Sequence, residues 1–340
     1  MTRLALATLL AIALGACDFT PTLDIPLPEF EPALTLNGVL AADSTVEVRI
    51  TGAIDPYVAA PTDDRFDVPD GTAAELFRDG ASLGPLRLAS TECPDYSAPV
   101  HPVDGPVVYE CGAFVSDVMI EPGATYTVRA TAPGFPPAEA TVTVPPRVSV
   151  ALDLSPRREF ETGPGYTLTE IDAAISVRDP AGAGDRYALM AVSGPWSYTD
   201  STQVCSGPST CRDTTRTYFY PNIQFSYTTT DPVLLAAART IPSNGITFVT
   251  FTDETFDGST RSFDVTLRQV DYPDRDWPDI KAVWLAAVDD ATFGAYQIAW
   301  FGYPLGDGFN PFQEPLDLPS NVEGGYGLLG AATITAMPID

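Results

Sequence analysis

Hydrophobic and polar positions alternate along much of this chain in short runs. Val46-Glu47-Val48-Arg49-Ile50 sets an apolar residue at every second position, and Tyr126-Thr127-Val128-Arg129-Ala130 and Ala140-Thr141-Val142-Thr143-Val144 repeat the pattern. A period of two sends successive side chains to opposite faces, so each run predicts a strand with one buried face. Leu34-Thr35-Leu36 and Ala74-Glu75-Leu76-Phe77 read the same way. Turn signals stand between the runs at Asn37-Gly38, Arg78-Asp79-Gly80 and Glu121-Pro122-Gly123. Short strands so punctuated, with no helical period, predict a β-sandwich of immunoglobulin-like or prealbumin-like type over residues 33–147. Pro145-Pro146 stops strand pairing and marks its end.

Beyond 148 the predicted strands lengthen: 148–154, 166–177, 187–192, 217–228, 246–251, 262–270, 280–288 and, at the end of the chain, 327–337. One segment changes period. Phe293, Tyr296 and Trp300 recur at spacings of three and four, which predicts a helix over about 290–302. Asp289 or Asp290 caps its start, and Gly302 and Pro304 end it. The expected fold is mostly β, with the N-terminal sandwich followed at 148–340 by a second β-rich domain carrying one helix.

The first residues follow neither pattern. Met1-Thr2-Arg3 carries one positive side chain, and residues 4–14 form an apolar run. A helix of that length spans about 16 Å, short of a bilayer core of about 30 Å. The segment reads as a secretion signal over 1–16. Leu14-Gly15-Ala16-Cys17 then reads as a lipobox, with Cys17 as the lipid-bearing first residue of the exported chain. Burying its acyl chains contributes about 0.8 kcal/mol per CH₂, so two or three chains anchor firmly. Pro21, Pro26, Pro28 and Pro32 make 17–32 an extended tether.

Charge narrows the partners. The chain carries 45 acidic residues against 18 Lys and Arg, a net charge of −27. Phosphate binding needs clustered bases, so nucleic acid is excluded as a partner. Anionic lipid would repel the body as well, leaving membrane attachment to the covalent lipid. Lys281 is the single lysine. With Cys17 assigned to the lipid, four cysteines remain, and an even number in an exported chain suggests disulfides. The local pairs are Cys93 with Cys111 and Cys205 with Cys211. Without Cys-x-x-Cys spacing, a Cys₄ zinc site is disfavoured.

No catalytic set assembles from the sequence. His101 is the single histidine, on a proline-rich segment. Gly80-Ala81-Ser82-Leu83-Gly84 matches the nucleophile-elbow pattern, but Pro85 follows where a helix is required, so a glycine-rich β-turn is the simpler reading. Acidic residues cluster at Asp63, Asp64, Asp67 and Asp70, at Asp253, Glu254 and Asp257, and at Asp271, Asp274, Asp276 and Asp279. None has EF-hand spacing. No metal or cofactor is assigned; calcium at Asp63, Asp67 and Asp70 is the one candidate. Aromatics gather in 196–227, where Trp196, Tyr198, Tyr218 and Tyr220 are candidate ligand contacts against the alternative of sheet packing.

Two segments carry a family resemblance. One is the start of the mature chain, Cys17 with Leu23-Asp24-Ile25, Pro28-Glu29, Leu34 and Asn37-Gly38. The other is Asn310-Pro311-Phe312 followed by Pro319-Ser320-Asn321-Val322-Glu323-Gly324-Gly325-Tyr326-Gly327-Leu328-Leu329-Gly330-Ala331. Together they resemble the Bacteroidota-type outer-membrane lipoprotein family of domain of unknown function 4249. The resemblance implies an outer-membrane lipoprotein accessory to a TonB-dependent transporter, and it supplies no catalytic residues. Asn310, Gly324 and Gly325 are further candidate binding positions, although the glycines also read as sites of close backbone approach. The function expected is non-enzymatic binding of a ligand or partner. The alternatives are a carboxylate-dependent glycoside hydrolase and a structural or adhesive envelope module.

Overall fold

The structure is a computed structural model that describes residues 31–53, 68–94, 108–182, 184–193, 196–205, 211–220, 224–237, 248–271, 279–301 and 320–339. The signal segment, Cys17 and most of the tether lie outside the described residues. From Pro32 to Asp340 the chain forms one compact unit. It is mostly β, as the alternation predicts.

The first core is a ring of strands. β1 (Leu34–Ala41) pairs antiparallel with β2 (Thr45–Gly52), and β2 with β5 (Val108–Met119). The long strand β4 (Ala81–Pro94) turns the corner: residues 87–94 pair with β5 and residues 81–86 with β3 (Ala73–Arg78). β6 (Thr125–Thr131) and β7 (Ala138–Thr143) follow across the second sheet. The alternation does what it predicts. Val46, Val48 and Ile50 from β2 and Tyr126, Val128 and Ala130 from β6 point into one core, with polar neighbours outside. Asp79 and Gly80 both have positive φ, which makes the β3–β4 connection a type I′ hairpin turn. Tyr126 is fully buried, and its hydroxyl accepts the backbone N–H of Glu121 at 2.9 Å. A tyrosine bonding back a few residues upstream is a corner device of immunoglobulin-like sandwiches.

The tail of the chain closes this ring. β18 (Val322–Glu323) pairs with β7, and β19 (Gly325–Pro338) runs parallel to β1, from Leu34↔Gly325 to Ala41↔Ala332. Val322, Leu329 and Ala331 therefore pack in the first core. An organisation into two consecutive domains divided at 147 does not describe this. The second half of β19 continues into the other core, pairing antiparallel with β17 (Ala282–Val288).

The second core lies between two sheets. In one, β19 and β17 are followed by β11 (Arg186–Val192), which pairs on its far edge with β15 (Phe248–Thr252) and the start of β14 (Gln224–Thr229). In the other, β16 (Thr260–Asp271) pairs with the end of β14 and with β10 (Tyr166–Arg178). β8 (Ser149–Leu154) and β9 (Arg158–Gly163) share the outer edge of β10. β11 and β17 read as near-continuous apolar runs because both their faces are buried. Tyr187, Leu189, Val283 and Leu285 face the core, while Ala188, Ala286 and Val288 face away from it.

The predicted helix is there and covers that second face. Two helices occur among the described residues, α1 (Pro232–Ala237) and α2 (Asp290–Phe301). Phe293 and Tyr296 of α2 pack on Ala188, Ala286, Val288 and Ala332. Asp289 is its cap, accepting Thr292 N–H at 3.0 Å and, across to β19, Ala331 N–H at 2.9 Å. The short α1 was not predicted, since six residues are too few for a period to register. Its local signature is legible in retrospect: Asp231 accepts Val233 N–H at 2.8 Å, and Pro232 occupies the first helical position. The single strand expected over 217–228 is two strands, β13 (Cys211–Tyr220) and β14. Pro221 between them has no N–H to give a ladder. β13 pairs with β12 (Trp196–Cys205) in a separate two-stranded ribbon.

Two substitutions separate steric from conformational roles of glycine. A Cβ at Gly325 would stand 2.4 Å from the Leu34 carbonyl oxygen inside the β1–β19 ladder, whereas at Gly80 it would meet nothing within 4 Å. Gly325→Ala is expected to cost about 2–3 kcal/mol, and Gly80→Ala about 1 kcal/mol from its positive φ alone. Urea midpoints will order the two. Tyr126→Phe leaves the Glu121 N–H without its acceptor and is expected to cost about 1–2 kcal/mol, read in the same titration.

Candidate functional site

Two loops of the second core bring carboxylates together. The loop after β10 runs Asp179-Pro180-Ala181-Gly182-Ala183-Gly184-Asp185, and the loop after β15 runs Asp253-Glu254-Thr255-Phe256-Asp257-Gly258. The second is wound tight by Phe256 N–H to the Asp253 carbonyl, 2.7 Å, and Ser259 N–H to the Phe256 carbonyl, 2.9 Å. This winding drops the Phe256 ring against Tyr187, Phe251 and Phe263 in the core. The carboxylates then cross from loop to loop. Asp253, with no exposed surface, accepts Gly184 N–H at 3.1 Å. Asp257 accepts Gly182 N–H at 2.9 Å. Asp179 accepts Gly258 N–H at 2.9 Å and the Tyr187 hydroxyl. The carboxylate oxygens of Asp179, Asp253 and Asp257 lie within 4.8 Å of one another, the one such group among the described residues.

The concentration of charge has consequences nearby. Burial and the charges of Asp179, Asp253 and Asp257 hold the Asp185 carboxyl above the usual carboxylate range. Burial, then the hydrogen bond to Asp179, pushes the Tyr187 phenol far above its usual range. Asp185 also lines a cleft of about 500 Å³ between the two cores, with Thr143 and Pro145 on one wall and Arg186 and Asp290 on the other. Arg186 is bonded to Asp290 and lies 5.5 Å over the Phe293 ring. Asp179, Asp253 and Asp257 are the described residues with the donor set for a hard divalent cation, which takes six to eight oxygens. Their hydrogen bonds account for each of them as a clamp between loops.

The ribbon is the other candidate surface. Its register sets Trp196 opposite Tyr220, Tyr198 opposite Tyr218 and Asp200 opposite Arg216. Directly opposed positions, and positions two apart, share a face. The four aromatic positions singled out by composition therefore fall together on one face, with Phe219 on the other. Asp200 and Arg216 continue the aromatic face one step outward.

Gly324 and Gly325 stand where the tail crosses from β7 to β1; a Cβ at Gly324 would lie 2.2 Å from the Pro137 carbonyl oxygen, so close approach accounts for both. Asn321 in the same tail holds Leu329, donating to its carbonyl at 2.7 Å and accepting its N–H at 3.0 Å. Asp70 is exposed on a turn, whereas Asp63, Asp67, His101 and Asn310 lie outside the described residues. The Ser82 hydroxyl donates to Glu75 and accepts Gly84 N–H at 3.2 Å. It sits in strand β4 beside a β-bulge rather than on an elbow. Cys93 and Cys111 are in β4 and β5; Cys205 and Cys211 end β12 and begin β13. Sequence reading found Asp253 and Asp257 as a cluster and missed Asp179 and Asp185, because the loop that holds them is more than sixty residues away.

The pH response of Asp185 is testable. Its proton is held more tightly in the folded chain than in the unfolded one, so the ionised carboxyl weakens the fold above its folded pKa. The penalty shrinks as pH falls and is gone below the ordinary carboxylate range. Asp185→Asn is expected to raise the melting temperature at neutral pH, with the gain vanishing toward pH ~4. Asp172 works in the opposite sense. The Thr266 hydroxyl and then the Arg158 guanidinium hold it below the usual range, so its small contribution is lost as pH falls through its folded value. A gain from Asp185→Asn that did not change with pH would assign the effect to packing.

No curated protein matches the chain. Residues 20–273 match the family described as Domain of unknown function (DUF4249), a span that holds every strand from β1 to β16 and ends before β17, α2 and β19. That match takes in most of the chain, and the chain belongs to this family.

Proposed function

We propose that this protein is a lipid-anchored outer-membrane lipoprotein that binds a ligand or partner without transforming it, beside a TonB-dependent transporter. Anchoring rests on the run from residue 4 to residue 14 and the lipobox Leu14-Gly15-Ala16-Cys17. A folded body beginning with the buried strand β1 at Leu34 agrees with it, because residues 18–33 can then act as spacer. Sixteen extended residues reach up to about 50 Å, enough to let the body work beside a membrane protein. The binding role is carried by one observation, the β12–β13 register that gathers Trp196, Tyr198, Tyr218 and Tyr220 on a single face. Aromatic faces with a polar pair at their edge suit recognition, since they bury area at low cost in side-chain entropy.

Cys17→Ala is expected to move the protein from the membrane to the soluble fraction and to abolish its labelling by palmitate. Cross-linking in whole cells followed by capture of the wild-type chain is expected to recover a TonB-dependent transporter, and Trp196→Ala with Tyr220→Ala to lose it at unchanged melting temperature. Recovery of no transporter, together with normal nutrient uptake in a deletion strain, overturns the accessory role.

A further inference from the structure

Strand register treats the two cysteine pairs differently. In the ribbon, Cys205 stands directly opposite Cys211, the last rung before the connection Ser206-Gly207-Pro208-Ser209-Thr210. In the β4–β5 hairpin, Cys93 stands opposite Tyr109 and Cys111 opposite Thr91. Those two cysteines share a face but are two residues out of register. Directly opposed Cα atoms in an antiparallel pair are about 4.5–5.5 Å apart, inside the range of about 4.4–6.8 Å that a disulfide spans. Diagonal neighbours stand about 7–8 Å apart, where a bridge forms only if the backbone moves. Proximity in the chain makes the pairs look alike; the ladders separate them.

We infer that Cys205 and Cys211 form a cross-strand disulfide that locks the register of the β12–β13 ribbon, while Cys93 and Cys111 remain thiols under the conditions that oxidise the ribbon pair. The oxidant is a disulfide of the glutathione class. A thiolate of the pair attacks one of its sulfurs, forming a mixed disulfide and releasing one glutathione thiol. The second cysteine displaces the other glutathione, so that two protein thiols and one glutathione disulfide become one protein disulfide and two glutathione thiols. The bridge has a structural purpose. A two-stranded ribbon is marginal in water by itself, and a one-residue slip would move every side chain to the other face. Cys205 and Cys211 lie on the face opposite Trp196, Tyr198, Tyr218 and Tyr220, so the bridge fixes that aromatic face without occupying it. The inference rests on register and stands apart from any ligand.

Cleavage after arginine reads both pairs at once, because residues 187–212 hold Cys205 and Cys211 on one peptide and residues 88–129 hold Cys93 and Cys111 on another. The purified full chain is equilibrated across glutathione disulfide-to-thiol ratios, quenched in acid, alkylated and mapped by mass. The expected result is that peptide 187–212 becomes two hydrogens lighter and escapes alkylation at a ratio about tenfold or more below that at which 88–129 oxidises. The gap narrows when the chain is unfolded in urea, which separates register from loop length. Cys205→Ser leaves Cys211 without an intramolecular partner, so peptide 187–212 is recovered alkylated or as a mixed disulfide with glutathione and never with an internal bridge, and the 88–129 curve is unmoved. Oxidation of 88–129 first or at the same ratio, cross-linking between the two peptides, double alkylation of 187–212 throughout, or a gap that urea leaves unchanged overturns the inference.

Discussion

Everything in this fold leans on the ladder between the first strand of the body and the last. β1 runs parallel to β19, joining residues almost three hundred positions apart. A parallel pair cannot be made by a short turn, so the whole body has to fold between its two members. The same β19 then pairs with β17 in the other core. One strand thus closes the first ring and forms part of a wall of the second, and neither core is finished without the end of the chain. The tail is built for that duty. Gly325 lets the backbone approach Leu34, Asn321 takes both polar groups of Leu329, and Asp289 ties the start of α2 to Ala331.

The second core meets the acidity of the chain by giving its buried carboxylates backbone N–H partners. Asp179 and Asp253 are buried among aromatic rings, where an unpaired charge would be costly. Each accepts a hydrogen bond from the opposing loop, so the charges serve as clasps. Asp185 is held above the usual carboxylate range by burial first and then by the charges of these neighbours. The cleft between the cores inherits this field, with Arg186 held by Asp290 at its wall.

The ribbon stands outside this economy. It pairs with itself alone among the described strands and gathers the aromatic positions that distinguish residues 196–220 from the rest of the chain. A body closed by its own tail, a tether of prolines and a paired arm divide the labour between fold, reach and contact.

Alternation and most turn chemistry are local, and they were legible; Asn37-Gly38, which reads as a turn, instead continues β1 because both residues pair with β19. Val46-Glu47-Val48-Arg49-Ile50 can bury one face only as a strand, Asp79-Gly80 can both take positive φ, and the spacing of Phe293, Tyr296 and Trp300 suits only a helix. Mostly-β content, the place of many strands and the place of α2 follow from these, whereas β4, β5, β9 and β12 were not anticipated. Even the near-continuous apolar runs of β11 and β17 announce burial on two sides. Partnership is another matter, because a strand offers the same backbone groups to any edge that approaches it. That the tail completes the first ring, that Asp179 meets Asp253 and Asp257, and that Cys205 faces Cys211 while Cys93 misses Cys111 are matters of register between segments. Register is set by how both cores pack at once, and only the folded chain holds that information.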